Sequence, residues 1–185
     1  DAILRRALDL VPDRVRVLAL PALDFGASCE HAAFAGTVGL QPDTARRAWE
    51  DIGACVARAG IRKLILYNSH GGNHALAEVT ARRLRIAHDA VVALALNLGC
   101  CPGDEHVTAA FPEDEIRFGI HGGAVETSVM MHLRPELVRA SELRRFPSSA
   151  AEMPRGGMLQ KHQLGFGVKT GWVSQDLHPA GVVGD

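Results

Sequence analysis

KLILYNSHGGNHALAEVTARRLRIAHDAVVALALNL, Lys63 to Leu98, is the stretch from which the fold can be read. The apolar run Lys63 to Tyr67 reads as a buried strand. It stops at NSHGGN, and an amphipathic stretch follows from about Ala75 to Ala87. There Leu76, Val79, Leu84 and Ile86 offer apolar surface, while Arg82, Arg83 and Arg85 point toward solvent. A second apolar run, Ala90 to Leu98, comes directly after. Strand, helix and strand at this spacing make the βαβ unit of a parallel sheet.

Working outward, Val15 to Leu20 (VRVLAL) is expected to be a further strand, leading into the loop FGASCEH. A helix is expected from near Thr44, capped by Asp43, with Ala48, Ile52, Cys55, Val56 and Ala59 on its apolar face and Gly60 as its stop. Beyond Leu98 the segment CCPGDEHVTAAFPEDEIRFG is irregular. Val125 to Leu133 then looks helical and Pro135 begins a turn. From Ser141 the chain is rich in Gly, Pro and Ser and reads as a long surface excursion of the same domain. Residues 1–185 are expected to form a single domain. The chain opens at Asp1 on a helix-like DAILRRALDL and closes at Asp185 on no terminal element, so truncation at both ends is expected.

Bulk properties narrow the function. The chain has 185 residues, 47% hydrophobic and 22% charged, with a formal net charge of -1. That balance gives no basic excess to attract nucleic acid or an anionic membrane. The longest apolar run, Ala90 to Leu98, is far short of the roughly 20 residues of a membrane-spanning helix. Four cysteines (Cys29, Cys55, Cys100, Cys101) match neither a zinc finger nor a secreted disulfide framework, and reduced thiols in a cytoplasm are expected. Nine histidines against one tyrosine direct attention to metal binding and proton transfer.

Three glycine-rich turns carry histidines. In NSHGGN, His70 follows a strand at the edge where open α/β sheets bind ligands, and Gly71 and Gly72 let a ligand approach. The other reading of this turn is structural, with a capping asparagine. In GASCEHAAFAGT, Glu30 and His31 are a carboxylate and an imidazole of the kinds that bind metal or orient substrate. On an extended segment they would point to opposite sides, so at most one is expected to face a shared site; a solvated loop is the alternative. In HGGAVETS, His121 precedes two glycines, and Glu126 opens a helix that it could also simply cap. Together the three turns point to a hydrolytic metal site. A bound divalent metal lowers the pKa of its water from about 16 to about 7, and a nearby imidazole suits proton transfer to a departing nitrogen. No GxSxG elbow supports a serine hydrolase.

GASCEHAAFAGTVGL, LILYNSHGGN, HGGAVETSVMMHLRPELV and the terminal HPAGVVGD occur in the order and spacing of the creatininase (creatinine amidohydrolase) family, which the chain resembles over nearly its whole length. The resemblance implies a three-layer α/β sandwich, with a central, mainly parallel sheet flanked by helices. It also implies a cytoplasmic homo-oligomer, with a hexamer among the options, that hydrolyses a small-molecule amide, lactam or formamide with two divalent ions (Zn, Mn or Fe). Carried over by position, His70 is similar to the metal histidine of the family's N-x-H motif, Asp1 to its bridging aspartate, and Glu126 to the carboxylate beside the metals. His121 is similar to the residue that acts on substrate as proton donor, and Glu126 is grouped with it in catalysis. Glu30 and His31 resemble the pair at the substrate mouth, with Asn73 and Trp172 as further substrate contacts; for the Trp172 region a subunit interface is the other option. Asp176 and His178 are weaker candidates.

Two departures qualify the resemblance. The family's glutamate and histidine ligands would precede Asp1, and Gly72 occupies the position where creatininase proper carries a glutamate, so Glu126 is expected to complete the second metal site. Gly72 argues against creatinine itself as substrate. A peptidase maturing a modified precursor peptide of mycofactocin type, and a catalytically impaired homologue, stay as alternatives.

Overall fold

The computed structural model of the chain describes residues 2–96, 105–152 and 171–185. Its elements are α1 (Ala2–Asp9), α2 (Pro42–Arg58), β1 (Lys63–Asn68), α3 (His74–His88), β2 (Val91–Leu96), α4 (Glu105–Ala110), α5 (Glu113–Phe118), α6 (Ala124–Leu133) and α7 (Ser174–Leu177). They group into two compact units: Asp1–Ala27 with Val38–Leu96, and Ser28–Thr37 with Asn97–Asp185. No helix among the described residues is long and apolar enough to cross a membrane.

In the first unit β1 and β2 pair in parallel, from Lys63 opposite Val91 to Asn68 opposite Leu96. Parallel neighbours need a crossover, and α3 supplies it. Ala77, Thr80 and Leu84 of α3 are buried, as are Ala45, Gly53 and Ala57 of α2. Gly53 lets the two helices approach, since a Cβ there would lie 2.5 Å from Leu84 Cδ1. Val56, Ala57, Leu64, Leu84 and Val92 line the small cavity between these helices and one face of the strand pair. The class is the expected one, α/β with helices on a parallel sheet. On the other face Ile65 and Val91 are 61% and 60% exposed, and no second helix layer covers them among the described residues. Glu50 of α2 joins the helices, accepting from Arg46 Nη1 at 2.8 Å and from Arg83 Nε of α3 at 2.5 Å. Burial pushes the Glu50 carboxyl up, but the two guanidinium hydrogen bonds outweigh it and hold the pKa below its usual value.

Several expectations are corrected here. Val15 to Leu20 is not a strand: Leu18 is 88% exposed and Val15, Val17 and Leu20 are exposed too. An alternating apolar pattern makes a strand only when a neighbour supplies hydrogen bonds in register, and among the described residues β1 and β2 pair only with each other. Helix α2 begins at Pro42 after Gln41, because proline suits the first helical position; Asp43 instead lies 3.5 Å from Arg46 Nη2. Ile52, Cys55, Ala59, Val79 and Ile86, expected on buried faces, are exposed. The close α2–α3 contact selects small side chains instead. Gly60 ends α2 as expected, with φ +90°. Of the second apolar run, Asn97 and Leu98 lie outside the described residues.

In the second unit Ala150, Leu177 and Val183 form a small core with Phe118, Ile120 and Trp172 packed on it. Two antiparallel bridges, His121 to Val183 and Phe146 to Gly184, bring the C-terminal segment alongside. Glu115 of α5 is 2% exposed. Its Oε1 accepts the Val125 N–H of α6 at 3.3 Å and its Oε2 the Asp185 N–H at 2.9 Å. A Cβ on Gly119, Gly123 or Gly184 would overlap this carboxylate, so the glycines make its space. Burying a carboxylate is costly unless it is hydrogen-bonded, and the two N–H groups offset that cost. One of them is a helix-start donor that α6 cannot satisfy internally. The acid thereby binds the opening turn of α6 to the C-terminal segment. Val125 to Leu133 is helical as expected, and Pro135–Leu137 forms a 3-10 turn.

Candidate active site

In the first unit the site residue is His70. Strand β1 ends at Asn68, whose buried amide clamps the turn: Nδ2 donates to the His70 carbonyl at 2.9 Å and Oδ1 accepts the His70 N–H at 3.2 Å. His70 is held extended, φ -134° and ψ 125°, at the head of the 3-10 turn Gly71–Asn73. It therefore sits at the carboxyl end of a parallel strand. A Cβ on Gly71 would meet nothing within 4 Å, so the turn is open there. Asn73, expected to touch substrate, accepts the Ala27 N–H on Oδ1 at 2.9 Å and ties Gly26–Ala27 to the turn.

In the second unit Cys29–His31 is a 3-10 turn rather than an extended segment. Successive side chains then stand about 120° apart, and Glu30 Oε1 lies 3.6 Å from His31 Nε2. The expectation that only one of the pair could face a given site is thus corrected. His31 is buried and stacks on His121, with ring centroids 4.0 Å apart and planes 25° apart. Ser174, the first residue of α7, gives its hydroxyl proton to the Glu30 carbonyl at 3.0 Å, and its Oγ also contacts His31 Nδ1.

His121 is fixed through its backbone, whose carbonyl accepts the Val183 N–H at 2.8 Å. Its Nδ1 lies 4.0 Å from Glu126 Oε2. The same oxygen accepts the Gly122 N–H, so Glu126 reaches back over the start of α6 as a helix-capping glutamate does. Gly122 has φ +68°, a left-handed turn position that favours glycine.

The structure thus brings Glu30, His31, His121 and Glu126 into one contiguous cluster in the second unit. His70 and Asn73 belong to the first, and Asp1 lies outside the described residues. Trp172 packs on Ala150, Leu177 and Val183. Asp176 accepts the Val173 N–H at 2.9 Å and so caps α7. His178 accepts the Ala180 N–H on Nδ1 at 3.0 Å and meets the Phe146 ring edge-on. Both hold local structure. Cys29 and Cys55 are exposed free thiols. Ser174 was not legible in the sequence: its contact with His31 spans 143 residues and no local motif marks it.

Glu30 and His31 offer ligand atoms within 4.8 Å of one another. A carboxylate oxygen beside an imidazole nitrogen is a donor set that Zn, Mn or Fe accepts. Metal-binding imidazoles commonly rest their second nitrogen on a polar partner, as His31 does on Ser174. Glu30 and His31 therefore supply donor types that a divalent metal accepts.

The chain matches the family model described as creatinine amidohydrolase over residues 1–185. It is 30% identical over 158 residues to the mycofactocin precursor peptide peptidase of Mycobacterium tuberculosis (strain ATCC 25618 / H37Rv), covering 80% of this chain and 54% of that protein. It is 30% identical over 140 residues to the creatinine amidohydrolase of Pseudomonas putida, covering 69% of this chain and 54% of that protein. A crystal structure of creatinine amidohydrolase (creatininase) superposes with a TM-score of 0.63 at 28% identity, over 80% of this chain and 60% of that one. The chain spans about half the length of the curated relatives it matches. With the family model matching over residues 1–185 and a solved creatininase superposing on 80% of the chain, the chain belongs to the creatininase family.

Proposed function

We propose that the protein is a metal-dependent amidohydrolase that cleaves a non-peptide carbon–nitrogen bond of a small amide, lactam or formamide. The observation that carries this reading is the cluster of two stacked imidazoles flanked by carboxylates, His31 with Glu30 and His121 with Glu126. A bound divalent ion would supply Lewis acidity and a water of lowered pKa. We assign His70, Asp1 and Glu126 to metal ligation from the family pattern, with Zn, Mn or Fe as the ion and two ions per site. Glu30 and His31 add an oxygen and a nitrogen donor at the substrate side. His121 protonates the departing nitrogen, with the Glu126 carboxylate 4.0 Å from its Nδ1. Asn73 and Trp172 are the further substrate contacts we assign. We propose a homo-oligomer acting in the cytoplasm.

The test is elemental analysis of the full-length protein, followed by turnover of lactams, formamides and short peptides. Bound metal is expected in the wild type, and His70→Ala is expected to lower both metal content and turnover. Undiminished metal in that variant would remove His70 from the ligand set. His121→Ala is expected to keep its metal and lose about 100-fold or more in turnover. A second reading, a peptidase trimming a modified precursor peptide, draws support from the relatives named as mycofactocin precursor peptide peptidases. Cleavage of peptides alone from the panel would favour it.

A further inference from the structure

We propose that Glu115 is a positioning residue for the candidate site, whose carboxylate sets the spacing of His121 and Glu126 by holding the backbone on either side of them. The need for such a residue comes from the link between the two. His121 and Glu126 are joined through Gly122 and Gly123, and consecutive glycines leave a backbone unusually free. Gly122 takes φ +68°, and Gly123 is extended at φ -80° and ψ -167°. Inside the link the Gly122 N–H reaches Glu126 Oε2, but that side chain is 57% exposed and water competes for it. The 4.0 Å between His121 Nδ1 and Glu126 Oε2 therefore needs support from outside the link.

Glu115 supplies it from both ends. His121 is held by its carbonyl, which accepts the Val183 N–H at 2.8 Å on the C-terminal segment, and Glu126 is carried by the first turn of α6. Glu115 Oε1 accepts the N–H of Val125, next to Glu126, at 3.3 Å. Its Oε2 accepts the N–H of Asp185, two residues beyond Val183, at 2.9 Å. A planar carboxylate cannot stretch, so a shift of either segment is passed to the other. The pocket is built for this group. A Cβ on Gly119, Gly123 or Gly184 would overlap the carboxylate, and one on Gly184 would also meet the Gly123 backbone, so the C-terminal segment lies directly against the glycine link. Both oxygens accept, and a glutamine of the same shape would turn one arm into a donor facing a backbone N–H. Exchanging the acid for its amide therefore separates positioning from the filling of space. That Glu115 sets the spacing stands on geometry; that the spacing serves turnover rests on the roles proposed above for His121 and Glu126.

The experiment compares full-length Glu115→Gln with the wild type and with Gly53→Ala, a control that loses stability in the other unit. Amide hydrogen exchange is measured alongside kcat, KM and metal content, well below the unfolding temperature. In Glu115→Gln the Gly122 and Val183 amides are expected to exchange about 10-fold faster or more, relative to the amides of β1 and β2. Its kcat is expected to fall about 10-fold with KM within about 2-fold and metal content unchanged, because alignment is lost while binding is kept. Gly53→Ala is expected to keep its kcat. Gly119→Ala, which retains the acid but puts a Cβ into its space, should reproduce the Glu115→Gln pattern and serves if that variant does not fold. Unprotected Val125 and Asp185 amides in the wild type overturn the proposal without any variant. So do unchanged Gly122 and Val183 exchange in folded Glu115→Gln, an unchanged kcat, or a kcat loss that Gly53→Ala matches. If the wild type hydrolyses no amide, the proposed function fails and the exchange result alone decides the role of Glu115.

Discussion

The two units hold their histidines by different means. In the first, His70 is placed by its own neighbourhood: the strand ladder delivers Asn68, and Asn68 clamps the His70 backbone two residues on. In the second, almost nothing near His31 or His121 in sequence explains where they are. His31 is fixed by Ser174 and by a stack on His121, and His121 by a bridge to Val183 and by the α6 turn that buried Glu115 pins down. Local placement needs a strand, a turn and one asparagine. Distant placement needs buried polar groups whose partners are all supplied, and it is correspondingly sensitive to losing one of them.

Urea unfolding of point variants can break or sharpen this contrast. Glu115→Ala should have the largest effect, about 3 kcal/mol, because it leaves the buried Val125 N–H and the partly buried Asp185 N–H without this acceptor. Adding Gly119→Ala to that variant should then cost less than in the wild type, since the carboxylate that crowds a Cβ there is gone. Gly53→Ala in the first unit should cost about 1–2 kcal/mol by overpacking against Leu84, an apolar contact whose neighbours can adjust. If it costs more than Glu115→Ala, the contrast between the units is lost. The smallest effect is expected from Glu50→Gln, about 0.5–1 kcal/mol at neutral pH. The Glu50 pKa is lowered in the folded state, so its contribution is present above the unfolded value of 4.5 and lost as pH falls through the lower folded value. Below about pH 4.5, the difference between wild type and Glu50→Gln should shrink toward zero.

How much could be read in advance follows the same division. The run from Lys63 to Leu98 disclosed two strands, the helix between them and the position of His70, because periodicity of 2 or 3.6 residues is a local property. Gly60, Pro135 and the helix beginning near Val125 were legible for the same reason. The face of each helix that is buried was not: Val79 and Ile86 look like core residues, yet the contact through Gly53 buries Ala77, Thr80 and Leu84. Glu30 and His31 were misjudged through one wrong local geometry, an extended segment in place of a 3-10 turn.

By itself the sequence determined the α/β class, the family motifs and which residue types are available for chemistry. Only the tertiary structure decided that Val15 to Leu20 joins no strand among the described residues, that Glu115 is a buried clamp, and that His31, His121 and Ser174 meet. The physical reason is that helix and strand periodicities are written in neighbours a few residues apart. A hydroxyl 143 positions distant acquires meaning only when folding removes the water it would otherwise bond.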